Sequence, residues 1–141
     1  MRLTQAQQLC AAALSAAAED GLLVSAAVVD AGGNLVAFAR MDGAEIAGVV
    51  LAPDKAYTAV ANSAPTHELA EAAAPGGPLF GLHAAAQGRF VVFGGGIPIR
   101  DAAGTIVGGI GVSGAPDPAD DVRCAERALN VVHGILAEAS Q

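Results

Sequence analysis

The side chains best suited to chemistry in this sequence fall in a few short runs. Arg40 and Asp42 flank Met41, Lys55 and Thr58 stand three residues apart, Thr66 precedes His67, and Ser113 lies within Gly111-Val-Ser-Gly114. Lys55 is the only lysine in the chain. Near a helix start it needs an anion, either Asp54 in a solvated salt bridge or a bound acidic ligand. With Arg40 it forms a basic pair suited to carboxylates, and with Asp42 or Asp30 a possible general acid/base set. An internal Arg40–Asp42 ion pair is the plainer alternative. Ser113 ends a strand just before a helix, so its hydroxyl and nearby N–H groups either hold a carboxylate or merely satisfy the turn. His67 is the best candidate metal ligand of the three histidines, with His83 and His133 less favourably placed.

Several familiar chemistries are not supported. The chain has no HxH, HExxH or Cys/His cluster for a self-contained metal site. It has no GxSxG elbow for a nucleophilic serine. Gly108-Gly-Ile-Gly111 superficially matches a phosphate-binding turn, but it lies inside a β-type run with no helix following directly. Gly108 and Gly109 are better read as letting the terminal helices approach a sheet closely. Cys10 and Cys124 are far apart among apolar helical positions and read as buried free thiols.

The elements that must position these residues can be traced by periodicity. Apolar residues at three- and four-residue steps predict a helix over about Thr4 to Asp20, stopped by Gly21. Leu23–Val29 and Leu35–Ala39 read as a hairpin joined by Asp30-Ala-Gly-Gly-Asn34. A helical region begins near Ala44, with Pro53 opening a second helix to Asn62. Thr66 is placed to cap a short helix carrying His67, Glu68 and Glu71. Phe90–Phe93, Ile97–Arg100 and Thr105–Val112 then read as a three-stranded antiparallel meander. Asp117-Pro118 starts the last helix, whose stripe is Val122, Ala125, Leu129, Val132 and Leu136. The order α-β-β-α-α-β-β-β-α excludes parallel βαβ units and predicts an α/β (α+β) fold. Its five-stranded antiparallel sheet carries the terminal helices on one face.

Composition bounds the partners. The 141 residues suit one domain, 1–141. Only 15% of residues are charged, against about a quarter in ordinary soluble domains, and 53% are hydrophobic. That excess of apolar surface predicts a homo-oligomer. A net charge of −7 with scattered basic residues argues against nucleic acid and anionic membranes. No apolar run reaches the roughly 18 residues of a membrane span, and the first residues do not follow a signal-peptide pattern, so a cytoplasmic protein is expected.

The ordered set Ala27-Val-Val-Asp30, Gly32-Gly33, Arg40-Met-Asp42, Lys55-Ala56 with Thr58-Ala59, Pro65-Thr66, Gly95-Gly96 with Pro98, and Gly108 through Gly114 resembles the GlcG/HbpS family. This family comprises haem-binding and haem-degrading-type domains and is similar to the C-terminal part of PduO proteins. The likeness runs from about Leu3 to Leu136. It implies a profilin-like fold, homo-oligomers and, for some members, bound haem with a role in haem or iron handling or sensing. Carried over by motif, the candidate pocket is Arg40, Asp42, Lys55, Thr58, Thr66 and Ser113, to which His67 is added as this chain's own candidate iron ligand. The competing reading is a cofactor-independent enzyme acting on a small acidic or aromatic metabolite through Lys55 and Asp42.

Overall fold

The computed structural model describes the backbone of residues 1–139 and the side chains as far as His133. Leu136, at the end of the expected stripe, has its side chain outside the described residues. The elements are α1 (Leu3–Glu19), β1 (Ser25–Asp30), β2 (Leu35–Arg40), α2 (Gly48–Asn62), α3 (Thr66–Ala72), β3 (Gly96–Arg100), β4 (Ile106–Ser113) and α4 (Pro118–Ala139). Two single 3-10 turns, Leu82–Ala84 and Ala86–Gly88, lie between α3 and β3.

The strands form one antiparallel sheet in the order β2-β1-β4-β3. Alternation along β1 and β4 divides the core. Ala26, Val28, Ile110 and Val112 face α1 and α4, where they join Leu9, Ala13, Ala125 and Val132 in the main apolar cluster. The residues between them face α2. Helices therefore cover both faces, α1 beside α4 on one and α2 on the other. The turn after β1 is fixed by Asp30, whose Oδ1 accepts from the N–H groups of Gly32 and Asn34, each at 2.9 Å. Gly33 supplies the left-handed residue at φ 82°.

The sheet has four strands, not the five expected. The run Phe90–Phe93 has β-type residues but no strand partner. Instead the Val91 N–H donates to Thr58 Oγ1 at 3.0 Å, pinning the segment to the flank of α2. The element order is correspondingly shorter by one strand. Pro53 also departs from expectation, lying inside α2 rather than opening a helix of its own. The hydrogen bond that proline cannot donate would have gone to the Val49 carbonyl, in the exposed first turn, where water can serve it.

The strand glycines serve a different helix from the one expected. A Cβ on Gly109 would lie 2.7 Å from the Ala56 carbonyl oxygen, and one on Gly111 would overlap the Ala52 carbonyl. Both belong to α2. Small residues on β4 thus let the backbone of α2 rest directly on the sheet, and this contact places Lys55.

Candidate functional site

Lys55 is carried by the deeply seated middle of α2 and is 0% exposed. Its ammonium reaches past the end of the sheet, donating to the Val112 carbonyl at 3.0 Å and to Asp121 Oδ2 at 3.2 Å. The Phe93 ring covers it, with its centroid 5.0 Å from Nζ. Gly95 and Gly96 leave the room the stem requires, because a Cβ on Gly95 would stand 2.8 Å from Nζ and one on Gly96 would meet the Lys55 carbonyl. The other carboxylate oxygen of Asp121 accepts the Ala115 N–H at 3.0 Å. This arrangement ties α2, β4 and the first turn of α4 together. Burial pushes the Lys55 amine below its ordinary range, opposed by the Asp121 charge. Burial likewise pushes the Asp121 carboxyl up, opposed by Lys55.

Asp54, the partner expected for Lys55, pairs with Arg89 at 3.1 Å. The Arg89 guanidinium also lies 3.8 Å from the Tyr57 ring centroid, and Tyr57 stacks on Phe90. Thr58 is buried, with its hydroxyl 2.6 Å from the Asp54 carbonyl and accepting from Val91. Thr66 is the first residue of α3, whose cap is Pro65. Its hydroxyl accepts the Gly96 N–H at 2.9 Å instead of capping the helix. His67, the next residue, is exposed. Its Cβ lies 3.4 Å from where a Cβ on Gly94 would stand, beside Val122 and the Pro118 carbonyl of α4. Lys55, Thr58, Thr66 and His67 thus gather on the β3 side of the molecule.

Arg40, Ser25 and Ser113 occupy one row across β2, β1 and β4. Directly opposed residues share a face, so all three look toward α2. Gly48 roofs the two serines, and a Cβ there would stand 3.0 Å from Ser25 Oγ and 3.3 Å from the Ser113 carbonyl. Among the described residues Ser25 Oγ has no hydrogen-bond partner, although the residue is fully buried. Arg40 emerges from this roof at the β2 edge and is exposed, as is Asp42 in the turn that follows. No ion pair joins them. Arg40 and His67 therefore sit at opposite edges of the sheet, roughly 14 Å apart by strand spacing alone.

Sequence reasoning missed Asp121 and Phe93. Asp121 had a visible signal, because it stands four residues before Ala125 and so continues the buried stripe of α4 as an acid among apolar positions. Phe93 had none, since its β-type surroundings suggested a strand. Among the described residues no group of three or more His, Cys, Asp or Glu converges as a metal site. A shallow groove of about 110 Å³ between α1 and α4, lined by Ala12, Ser15, Ala16, Glu19, Arg127 and Val131, is well short of the ~300 Å³ at which ligand pockets begin. No helix is long and apolar enough to cross a membrane among the described residues.

Residues 1–130 match the family model described as haem degrading protein HbpS-like. The chain belongs to the HbpS-like family. Within it, the chain is 38% identical over 128 residues to an uncharacterized 15.0 kDa protein of the dhaT-dhaS intergenic region of Citrobacter freundii, covering 91% of this chain and 89% of that one. It is 40% identical over 127 residues to the corrinoid adenosyltransferase PduO of the same organism, covering 89% of this chain but only 37% of PduO. Among solved structures, PduOC in complex with heme superposes with a TM-score of 0.87 at 36% identity, over 92% of this chain and 93% of that one.

For an HbpS-like chain, the geometry separates supporting side chains from presenting ones. Lys55, Thr58, Thr66 and Ser113 are buried. Lys55, Thr58 and Thr66 are committed to protein partners and set the shape of the β3 side. His67 and Phe93 present an imidazole and an aromatic ring to solvent there.

Proposed function

We propose that this chain binds haem on the β3 side of its sheet, in haem or iron handling or sensing, with His67 offering the iron ligand and Phe93 an apolar face. The observation that carries the reading is the likeness, over nearly the whole of both chains, to PduOC in complex with heme. The residues present fit such a group. An exposed imidazole stands beside Gly94, whose lack of a side chain lets Val122 of α4 pack close, and the exposed Phe93 ring immediately precedes that glycine. Bound haem would supply redox-active iron, and the chain's part would be to hold it through the His67 imidazole and the Phe93 ring.

Within this reading Lys55, Thr58 and Thr66 act as positioning residues behind the ligand, Ser113 supports the strand end, and Arg40 serves a different edge. A cofactor-independent reaction through Lys55 and Asp42 has less support, because the Lys55 ammonium is enclosed and already paired with Asp121, while Asp42 is exposed in the turn after β2. The corrinoid chemistry of PduO is not carried over, since most of that protein has no counterpart in this chain. We further read residues 1–141 as one profilin-like domain that works as a homo-oligomer in the cytoplasm, consistent with two buried free thiols and scarce surface charge. The test is a hemin titration of the purified apo chain. A Soret band that shifts and saturates at a fixed stoichiometry supports haem binding. An unshifted band with no saturation overturns it.

A further inference from the structure

The two edges of the sheet are unlike. β3 carries Pro98, which cannot donate to a neighbouring strand, and it lies under contacts from α2 and α3. β2 has no proline and no lysine, the usual devices against edge pairing. The Met41 N–H points inward to the Val24 carbonyl at 3.0 Å. Alternation therefore turns the backbone N–H and C=O groups of Phe38 and Arg40 outward, away from β1. The ladder shifts register between Val28 and Val29, which leaves the Phe38–Arg40 end as the regular part of this edge.

The face beside that edge is also uncovered. α2 lies chiefly over β4, β1 and β3, whereas α1 packs on the opposite face of β2. Leu35 and Phe38 of β2, Ile46 before α2, and Val49 and Val50 in its first turn are 37–79% exposed. Together they expose roughly 500 Å² per copy, so two copies joined at this edge bury at most the ~1,000 Å² at which a specific interface begins. A patch of that size is at the upper end for the surface of a monomer.

We propose that the β2 edge with this apolar patch is the contact between two copies of the chain, joined across a two-fold axis near Phe38. Antiparallel pairing of β2 with itself satisfies the outward backbone groups of both copies and extends the sheet to eight strands. The same operation sets the two Phe38 rings side by side, each within diagonal reach of Arg40 of the second copy. An isologous contact of this kind needs one surface only, which suits an edge strand that is its own complement. The proposal deepens the homo-oligomer reading and is independent of haem.

Sedimentation equilibrium of the apo protein tests it with three variants. Phe38→Glu puts a charge at the axis, Val50→Glu puts one on the helix side of the patch, and Leu79→Glu alters an exposed apolar residue elsewhere. The wild type is expected at a multiple of 13.8 kDa. Phe38→Glu and Val50→Glu, each with native circular dichroism, are expected to fall to half that mass or less, and Leu79→Glu to keep it. A monomeric wild type overturns the homo-oligomer reading itself. An oligomeric wild type whose mass survives both patch variants overturns the surface alone.

Discussion

Replacing Lys55 separates a structural lysine from a functional one. In Lys55→Met the Asp121 carboxylate stays enclosed with the Ala115 N–H at 3.0 Å but without its countercharge. In Asp121→Asn the ammonium keeps the Val112 carbonyl and the Phe93 ring but loses its anion. Breaking one half of a buried pair costs about 3–5 kcal/mol, chiefly the penalty of a stranded charge. For a chain of this length such a loss lowers Tm by roughly 10–20 °C. Lys55→Met/Asp121→Leu removes both charges, fills similar volume and is expected within about 1–2 kcal/mol of wild type or above it. With Asp121→Leu added as the second single variant, urea denaturation of it, wild type, Lys55→Met and the double variant gives the coupling energy directly. The reasoning is refuted if Lys55→Met unfolds at the wild-type midpoint while losing ligand binding, because Lys55 would then serve the ligand rather than the frame.

Other outcomes follow from the same contacts. Gly111→Ala drives a Cβ into the Ala52 carbonyl and should cost about 3 kcal/mol or more in urea denaturation, since α2 must lift from the sheet. Ser25→Ala removes a buried hydroxyl with no partner and is expected to leave stability unchanged or raise it by about 1 kcal/mol in the same assay. Burial pushes the Cys10 thiol from 9.0 up to about 11. Its folded-state value lies above the unfolded one, so its contribution to stability is complete below pH 9 and is lost as pH rises through 11. Two units correspond to about 2–3 kcal/mol, and Cys10→Ala should flatten the alkaline limb of a stability–pH curve by that order.

Local pattern made much of this fold legible. The α1 stripe, the Asp30 turn and the Asp117 start of α4 each depend on residues within a few positions of one another, and each appears as expected. The failures share a cause. Phe90–Phe93 has the composition of a strand, but a hydroxyl 33 residues away claims its backbone. Glycines in β4 announce a close approach without saying which helix makes it. Lys55 stands out in the sequence as the single lysine, yet its partner is 66 residues distant and no spacing rule connects them. Arg40 and His67 each look suited to a ligand in sequence, and only the strand order reveals that they stand at opposite edges.

Haem binding through the β3 side is tested most directly by parallel hemin titrations of wild type, His67→Ala and Arg40→Ala, with circular dichroism to verify folding. The expected result is a saturable Soret shift in wild type, an affinity at least tenfold weaker or an altered Soret position in His67→Ala, and near-wild-type behaviour in Arg40→Ala. Identical titrations for wild type and His67→Ala, or a loss of binding in Arg40→Ala alone, would contradict the site.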